Sequence, residues 1–206
     1  MAVAAPEREL ARQLAAAAAG VTAFAQDVLA GNVVANRYVR LACERHINDL
    51  SSAKARGLRW DDESAGHAIR FFDLLRLAEG EFEGKPFVLS PWQVFIVGSL
   101  FGWYSLDEDG VWVRRFRNAY VETGKGSGKS PLAGGIGLYG MAADSEATAE
   151  VYSAAAGRDQ AGILWTDAKR MVEKSSELRA RIEVLAHALV ARSDSASFKP
   201  VSAEAK

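Results

Sequence analysis

The residues best suited to chemistry lie in one run, Val121-Glu-Thr-Gly-Lys-Gly-Ser-Gly-Lys-Ser130. Gly124, Gly126 and Gly128 let the backbone turn with positive φ and bring its N–H groups against phosphate oxygens. A helix opening near Lys129 adds unpaired N–H groups and the positive end of its dipole. In such a loop the Lys129 ammonium reaches the β- and γ-phosphates and the Ser130 hydroxyl ligates Mg²⁺. One position departs from the usual spacing: Thr123 stands where the first glycine belongs, Gly124 follows one place late, and Lys125 adds a second cation, next to Ser127 and its flanking glycines.

A flexible glycine–serine–lysine connector has the same composition, so context decides. Residues 112–121 mix aromatic and β-branched side chains, as a strand entering a sheet does. Leu132, Ile136, Leu138, Tyr139 and Met141 recur at helical spacing after the loop. Strand, glycine turn and helix are the setting in which a phosphate-loop pattern carries meaning.

A second informative stretch is Gly84-Lys-Pro-Phe-Val-Leu-Ser-Pro-Trp-Gln93. Pro86 ends the preceding helix, and Ser90-Pro91 reads as an N-cap followed by proline at the first helical position. The helix expected over 92–103 is almost wholly apolar, hence buried, and Gln93 is its odd residue. A glutamine amide offers the donor–acceptor pair that reads the N6 and N7 edge of adenine. A capping glutamine in the first turn is the other reading, and the residues leave both open.

The elements that must hold these groups follow from periodicity. Helices are expected over 7–30, 36–55 and 62–82, the last with Asp61 or Asp62 as N-cap. After the loop helix come a strand at 149–156 and a helix from 157, with a break at Ser175-Ser176. A final extended pair, 188–192 and 198–201, flanks a turn. The fold class is α/β: a P-loop NTPase-like parallel sheet flanked by helices, with a right-handed crossover and an N-terminal helical region. The expected division is 1–84 helical and 85–206 as a partial P-loop ATPase domain with an incomplete sheet.

Composition limits the partners. The chain has 206 residues, 49% apolar and 25% charged, with net charge −1, so any nucleic-acid contact is a local patch. Arg37, Arg40 and Arg45 read as a solvated helix face, and Arg114, Arg115 and Arg117 as an exposed strand face. The single Cys43 excludes an internal disulfide and reads as core packing. His46, His67 and His187 lack metal-ligand spacing. No run reaches the ~20 apolar residues of a membrane span; the alanine-rich stretch 14–25, preceded by mixed charges, reads as a surface helix.

Three blocks in order, Phe87-Val-Leu-Ser-Pro-Trp-Gln93 with Phe101-Gly-Trp103, then 121–130, then Ser153-Ala-Ala-Ala-Gly-Arg-Asp-Gln-Ala161, resemble the large terminase subunit of tailed bacteriophages from about Asn36 onward. The resemblance implies an ATPase that drives double-stranded phage DNA through a portal protein into a capsid. Its basic residue inside the loop is similar to Lys125. It further implies ATP and Mg²⁺ as cofactors, Lys129 and Ser130 on the phosphates and metal, and Gln93 with Trp92 on the adenine. Arg158, near Gln160, is implied as a weak phosphate sensor. Implied partners are a small terminase subunit, the portal and neighbouring copies in a ring, with no membrane; the implied place is the host bacterial cytoplasm, docked transiently on the procapsid.

Such motors also use an apolar strand ending in Asp-Glu, which holds Mg²⁺ and activates water. No such run follows Ser130, and Glu204 closes no strand. The family's nuclease is missing too. The expectation is therefore a fragment that binds ATP and hydrolyses it poorly. The alternatives are another P-loop ATPase of helicase type, or an inert helical interaction module with a P-loop remnant.

Overall fold

The computed structural model describes residues 5–78, 80–144 and 146–202. Contacts divide the chain into two units, Met1–Arg70 with Leu89–Val121, and Phe71–Val88 with Glu122–Lys206.

The first unit is mainly helical. Helix α1 (Ala5–Ala30) buries Leu14, Ala18, Val21, Ala25 and Val28, a stripe at three- and four-residue spacing. It packs on α2 (Arg37–Ser52) and α4 (Pro91–Gly102). One sequence expectation changes here: Pro6–Ala30 is long and apolar enough to cross a bilayer by length and composition alone. Its apolar stripe is packed within the unit, and a core helix passes the same test. Asn36 caps α2 by accepting the Val39 N–H at 3.0 Å. Asp61 caps α3 (Asp62–Phe71) by accepting the Ser64 N–H at 2.7 Å. Strands β1 (Leu58–Trp60), β2 (Trp103–Leu106) and β3 (Trp112–Arg114) form an antiparallel sheet in that order.

Its core holds polar groups that find partners. His46 accepts the Trp103 Nε1–H on Nδ1 at 3.0 Å and meets Thr22 Oγ1 through Nε2 at 3.0 Å. Nδ1 is an acceptor, so the ring is neutral with its proton on Nε2. Burial pushes its pKa down to about 4. Asp49, fully buried, pairs with both Arg56 and Arg115. The expected exposed strand face at Arg115 is thus corrected: the residue follows β3, and its guanidinium neutralises a core carboxylate. Cys43 is buried, as expected, and burial pushes its thiol up to about 11.

The second unit is the α/β part. Helix α5 (Lys129–Ala142) precedes β4 (Glu150–Ala155), α6 (Arg158–Lys174), α7 (Ser176–Arg181), β5 (Ile182–Val184), β6 (Leu189–Ala191) and β7 (Ser197–Ser202). The sheet order is β4-β7-β6-β5. β4 and β7 pair in parallel, and the other two ladders are antiparallel. The α/β class holds, with the parallel register concentrated in one pair. The break between α6 and α7 falls at Ser175, whose hydroxyl accepts the Leu178 N–H at 3.4 Å. Glycines let α5 approach its neighbours: a Cβ on Gly135 would lie 2.4 Å from Phe72, and one on Gly134 3.4 Å from the Ala168 backbone.

Two element expectations are corrected. The helix expected over 62–82 ends at Phe71 and tightens into a 3₁₀ turn at Phe72–Leu74. Beyond it the Leu77 N–H donates to Lys85 O and the Phe87 N–H to Leu75 O, both across the chain. Backbone groups that pair across the chain cannot also make i→i−4 bonds, so apolar Leu75, which reads as a helical position, is buried from an extended segment. The strand expected over 112–121 shrinks to Trp112–Arg114. It pairs antiparallel with β2, the Arg115 N–H donates to Trp103 O at 3.0 Å, and no described strand pairs with 116–123.

Candidate nucleotide site

The loop before α5 turns where glycine is needed. Gly126 has φ +82° and Gly128 φ +79°, the left-handed region that strains other residues. The Ser127 hydroxyl donates to Gly124 O at 2.9 Å and pairs with the Thr123 hydroxyl. Thr123 thus serves the loop through its side chain at the place where the usual pattern has glycine. Gly128 is the N-cap of α5, no side chain caps that helix, and the Leu132 N–H donates to Gly128 O at 3.0 Å. The first-turn N–H groups of α5 are therefore left to a ligand or solvent. Nothing lies within 4 Å of the Cβ positions of Gly124 and Gly126, so that surface of the loop is open.

The loop bounds a cavity of about 1190 Å³ within the second unit. Lys125, Gly126, Gly128, Lys129 and Ser130 line one part of it. Ile163, Trp165, Asp167 and Arg170 of α6 line another, with Pro200, Val201 and Ser202 of β7. Desolvation raises the pKa of Asp167 above the ordinary carboxylate range. The site fits a triphosphate: two cations, a hydroxyl and an uncapped helix start face a space large enough for a whole nucleotide. It also fits Mg²⁺ through Ser130, since this ion is commonly held by one or two protein groups together with substrate phosphates and water.

The other expected residues stand as follows. Arg158 is the first residue of α6. Trp92 and Gln93 lie in the first turn of α4, in the other unit. Gln93 is buried, and its Oε1 accepts the Ser90 N–H at 2.8 Å and the Ser90 hydroxyl at 3.0 Å. That is the capping role, formed by the reciprocal pairing of an N-cap serine with a glutamine three residues on. Glu204 lies outside the described residues. Neither Asp167 nor Trp165 stands out in the sequence as a site residue. No spacing marks them; the signal is their position on the helix that follows the strand after the loop.

A glycine turn feeding an uncapped helix beside a mixed sheet makes this unit an α/β protein. The chain matches the family described as terminase large subunit, ATPase domain, over residues 91–205, more than half its length, and it belongs to that family. The crystal structure of the HK97 bacteriophage large terminase is similar in fold, with a TM-score of 0.56 and 21% identity over 69% of this chain. The match spans 28% of the HK97 chain, so this protein corresponds to a minor part of that one. No curated protein sequence matches it.

Proposed function

We propose that this chain is the ATP-binding part of a phage DNA-packaging motor, in which ATP hydrolysis is coupled to translocation of double-stranded DNA into the capsid. The observation that carries the reading is the cavity bounded by Gly126, Gly128, Lys129 and Ser130 at the start of α5. In this reading Lys129 neutralises the β- and γ-phosphates, the loop N–H groups fix their orientation, and Lys125 adds a second positive charge. Thr123, Gly124 and Ser127 hold the loop shape. Mg²⁺, taken through the Ser130 hydroxyl, supplies neutralisation of the phosphoryl oxygens. Arg158 senses phosphate.

Residues 131–206 contain no Asp-Glu pair to position the metal and activate water. The chain alone accordingly binds ATP and turns it over slowly. In the full motor its partners are phage DNA, the small terminase subunit, the portal and ring neighbours, in the host bacterial cytoplasm. A fluorescent ATP analogue tests the core of this. Wild type is expected to bind with Mg²⁺, and Lys129→Ala to lose at least about tenfold in affinity, as removal of a charge-assisted contact does. Equal signals from the two proteins reject an ATP site here.

A further inference from the structure

Helix α2 is apolar on the side that meets water. Cys43, His46 and Asp49 mark its buried side. On the opposite side Tyr38, Leu41 and Arg45 recur at helical spacing, and Arg37 lies one turn before Leu41. Tyr38 is 79% exposed, Leu41 47%, and Val34, two residues before the N-cap, is wholly exposed. Arg37 and Arg45 are exposed as well, against one exposed acid, Glu44. The Phe116 ring, 4.7 Å away, steadies the Arg45 guanidinium. The result is a ridge of hydrocarbon edged by net positive charge.

The same unit carries a surface of the reverse kind. In the β2–β3 hairpin Leu106 stands opposite Trp112, and both are exposed together with Val111. The turn between the strands is acidic, Asp107-Glu108-Asp109-Gly110. It is tied from within. The Asp107 N–H donates to Val111 O at 3.0 Å, and Asp107 Oδ1 accepts the N–H groups of Asp109 at 3.0 Å and Val111 at 2.8 Å. Glu108 and Asp109 are left exposed, with no partner among the described residues.

We infer that these two surfaces meet between copies of this chain, the α2 ridge of one against the acidic hairpin of the next. Leu106, Val111 and Trp112 then cover Tyr38 and Leu41, while Glu108 and Asp109 face Arg37 and Arg45. Large apolar side chains grouped at a surface and rimmed by charge mark an interaction site, and opposite charge decides which surface meets which. The joined surfaces are unlike, so a pair of copies keeps one of each free and the contact continues from copy to copy. A helix ridge against a hairpin tip is a small contact, which places it among weak and salt-sensitive associations. None of these residues lines the loop cavity, so the contact stands or falls apart from the ATP-binding reading.

Sedimentation velocity of the full chain tests the contact. Wild type is expected to gain average mass between about 10 and 500 μM at low salt and to lose that gain at about 0.5 M NaCl. Glu108→Ser with Val111→Ser removes the hairpin surface, and Tyr38→Ser with Leu41→Ser removes the ridge. Each pair of changes is expected to weaken self-association at least about tenfold. An equimolar mixture of the two variants still holds one intact ridge and one intact hairpin, so it is expected to form one-to-one dimers and nothing larger. A monomeric wild type, as a surface kept for a different acidic partner would give, overturns the inference. So does a variant that associates as wild type does, the sign of ridge-to-ridge or hairpin-to-hairpin pairing, and so does a mixture without dimers. Dilution of ¹⁵N-labelled wild type gives an arm free of substitutions: amide signals of 34–45 and 106–112 are expected to shift together. No shift, or shifts confined to other residues, overturns it equally.

Discussion

A single imidazole sets an acid limit on the first unit. His46 is held neutral between the Trp103 N–H and Thr22, with its pKa pushed from 6.5 to about 4 by burial. In the unfolded chain the ring takes up its proton near the ordinary value, while the folded chain does so only near 4. The unfolded state therefore binds more protons between those limits. Stability is full above about 6.5, falls as pH drops through the window, and loses nothing further from this group below about 4. One group can contribute at most about 1.4 kcal/mol per pH unit. Urea midpoints followed by tryptophan emission are expected to decline between pH 6.5 and 5, and the decline should flatten in His46→Asn; an identical slope in that variant would refute the assignment. The sequence showed that His46 lacked metal-ligand spacing, but not that Trp103, 57 residues away, would donate to it. Arg115 teaches the same lesson: its partner Asp49 is 66 residues away, and alternation along a presumed strand carries no information about such a contact.

At the scale of elements, glycine on α5 decides how closely the loop helix can pack. Alanine at Gly135 would gain about 1 kcal/mol in helix propensity. Its Cβ, however, would lie 2.4 Å from Phe72 Cε1 and 2.9 Å from Leu75 Cδ1, both in buried side chains. Phe72 is itself wedged edge-on against Phe87 at 5.3 Å, so the ring has little room to retreat. Overpacking of this kind costs about 1–3 kcal/mol and outweighs the propensity gain. Gly135→Ala is expected to lower Tm by about 2–4 °C, whereas Gly162→Ala, with open space at its Cβ, is expected to raise it. A rise for both would mean that α5 and Phe72 are not in contact. Most elements were legible because local signals and tertiary contacts agree. Asp61 caps as read, the second helix starts at Asn36, α5 and α6 follow their apolar spacing, and Ser175 breaks the helix where two serines adjoin. Legibility failed where cross-chain pairing took over: Leu75 and Leu77 have helical spacing but their backbones pair with Gly84, Lys85 and Phe87, and β1 and β3 are short strands defined by their ladders with β2.

The whole molecule has two cores, and each stretch of the sequence was readable in proportion to how local its contacts are. The glycine loop is contiguous, so the positions of Gly126, Gly128, Lys129 and Ser130 at a helix start could be foreseen. The rest of its cavity's lining could not, because it comes from α6 and β7, elements brought together by the parallel pairing of β4 with β7. In the other core the sole thiol has a practical consequence. Cys43 is sealed from solvent with its ionisation pushed up to about 11, so an added disulfide reagent has neither access nor a thiolate to attack while the fold is closed. Modification must wait for that unit to open, which makes the sulfur a chemical clock. Ellman's reagent at pH 8 is expected to react at once with urea-unfolded chain and roughly a thousandfold or more slowly with the native protein. Matching rates would mean that Cys43 is not enclosed. The same enclosure lets native protein be stored without reductant and form no cross-linked pairs, so any covalent dimer on a non-reducing gel counts molecules that have already come apart.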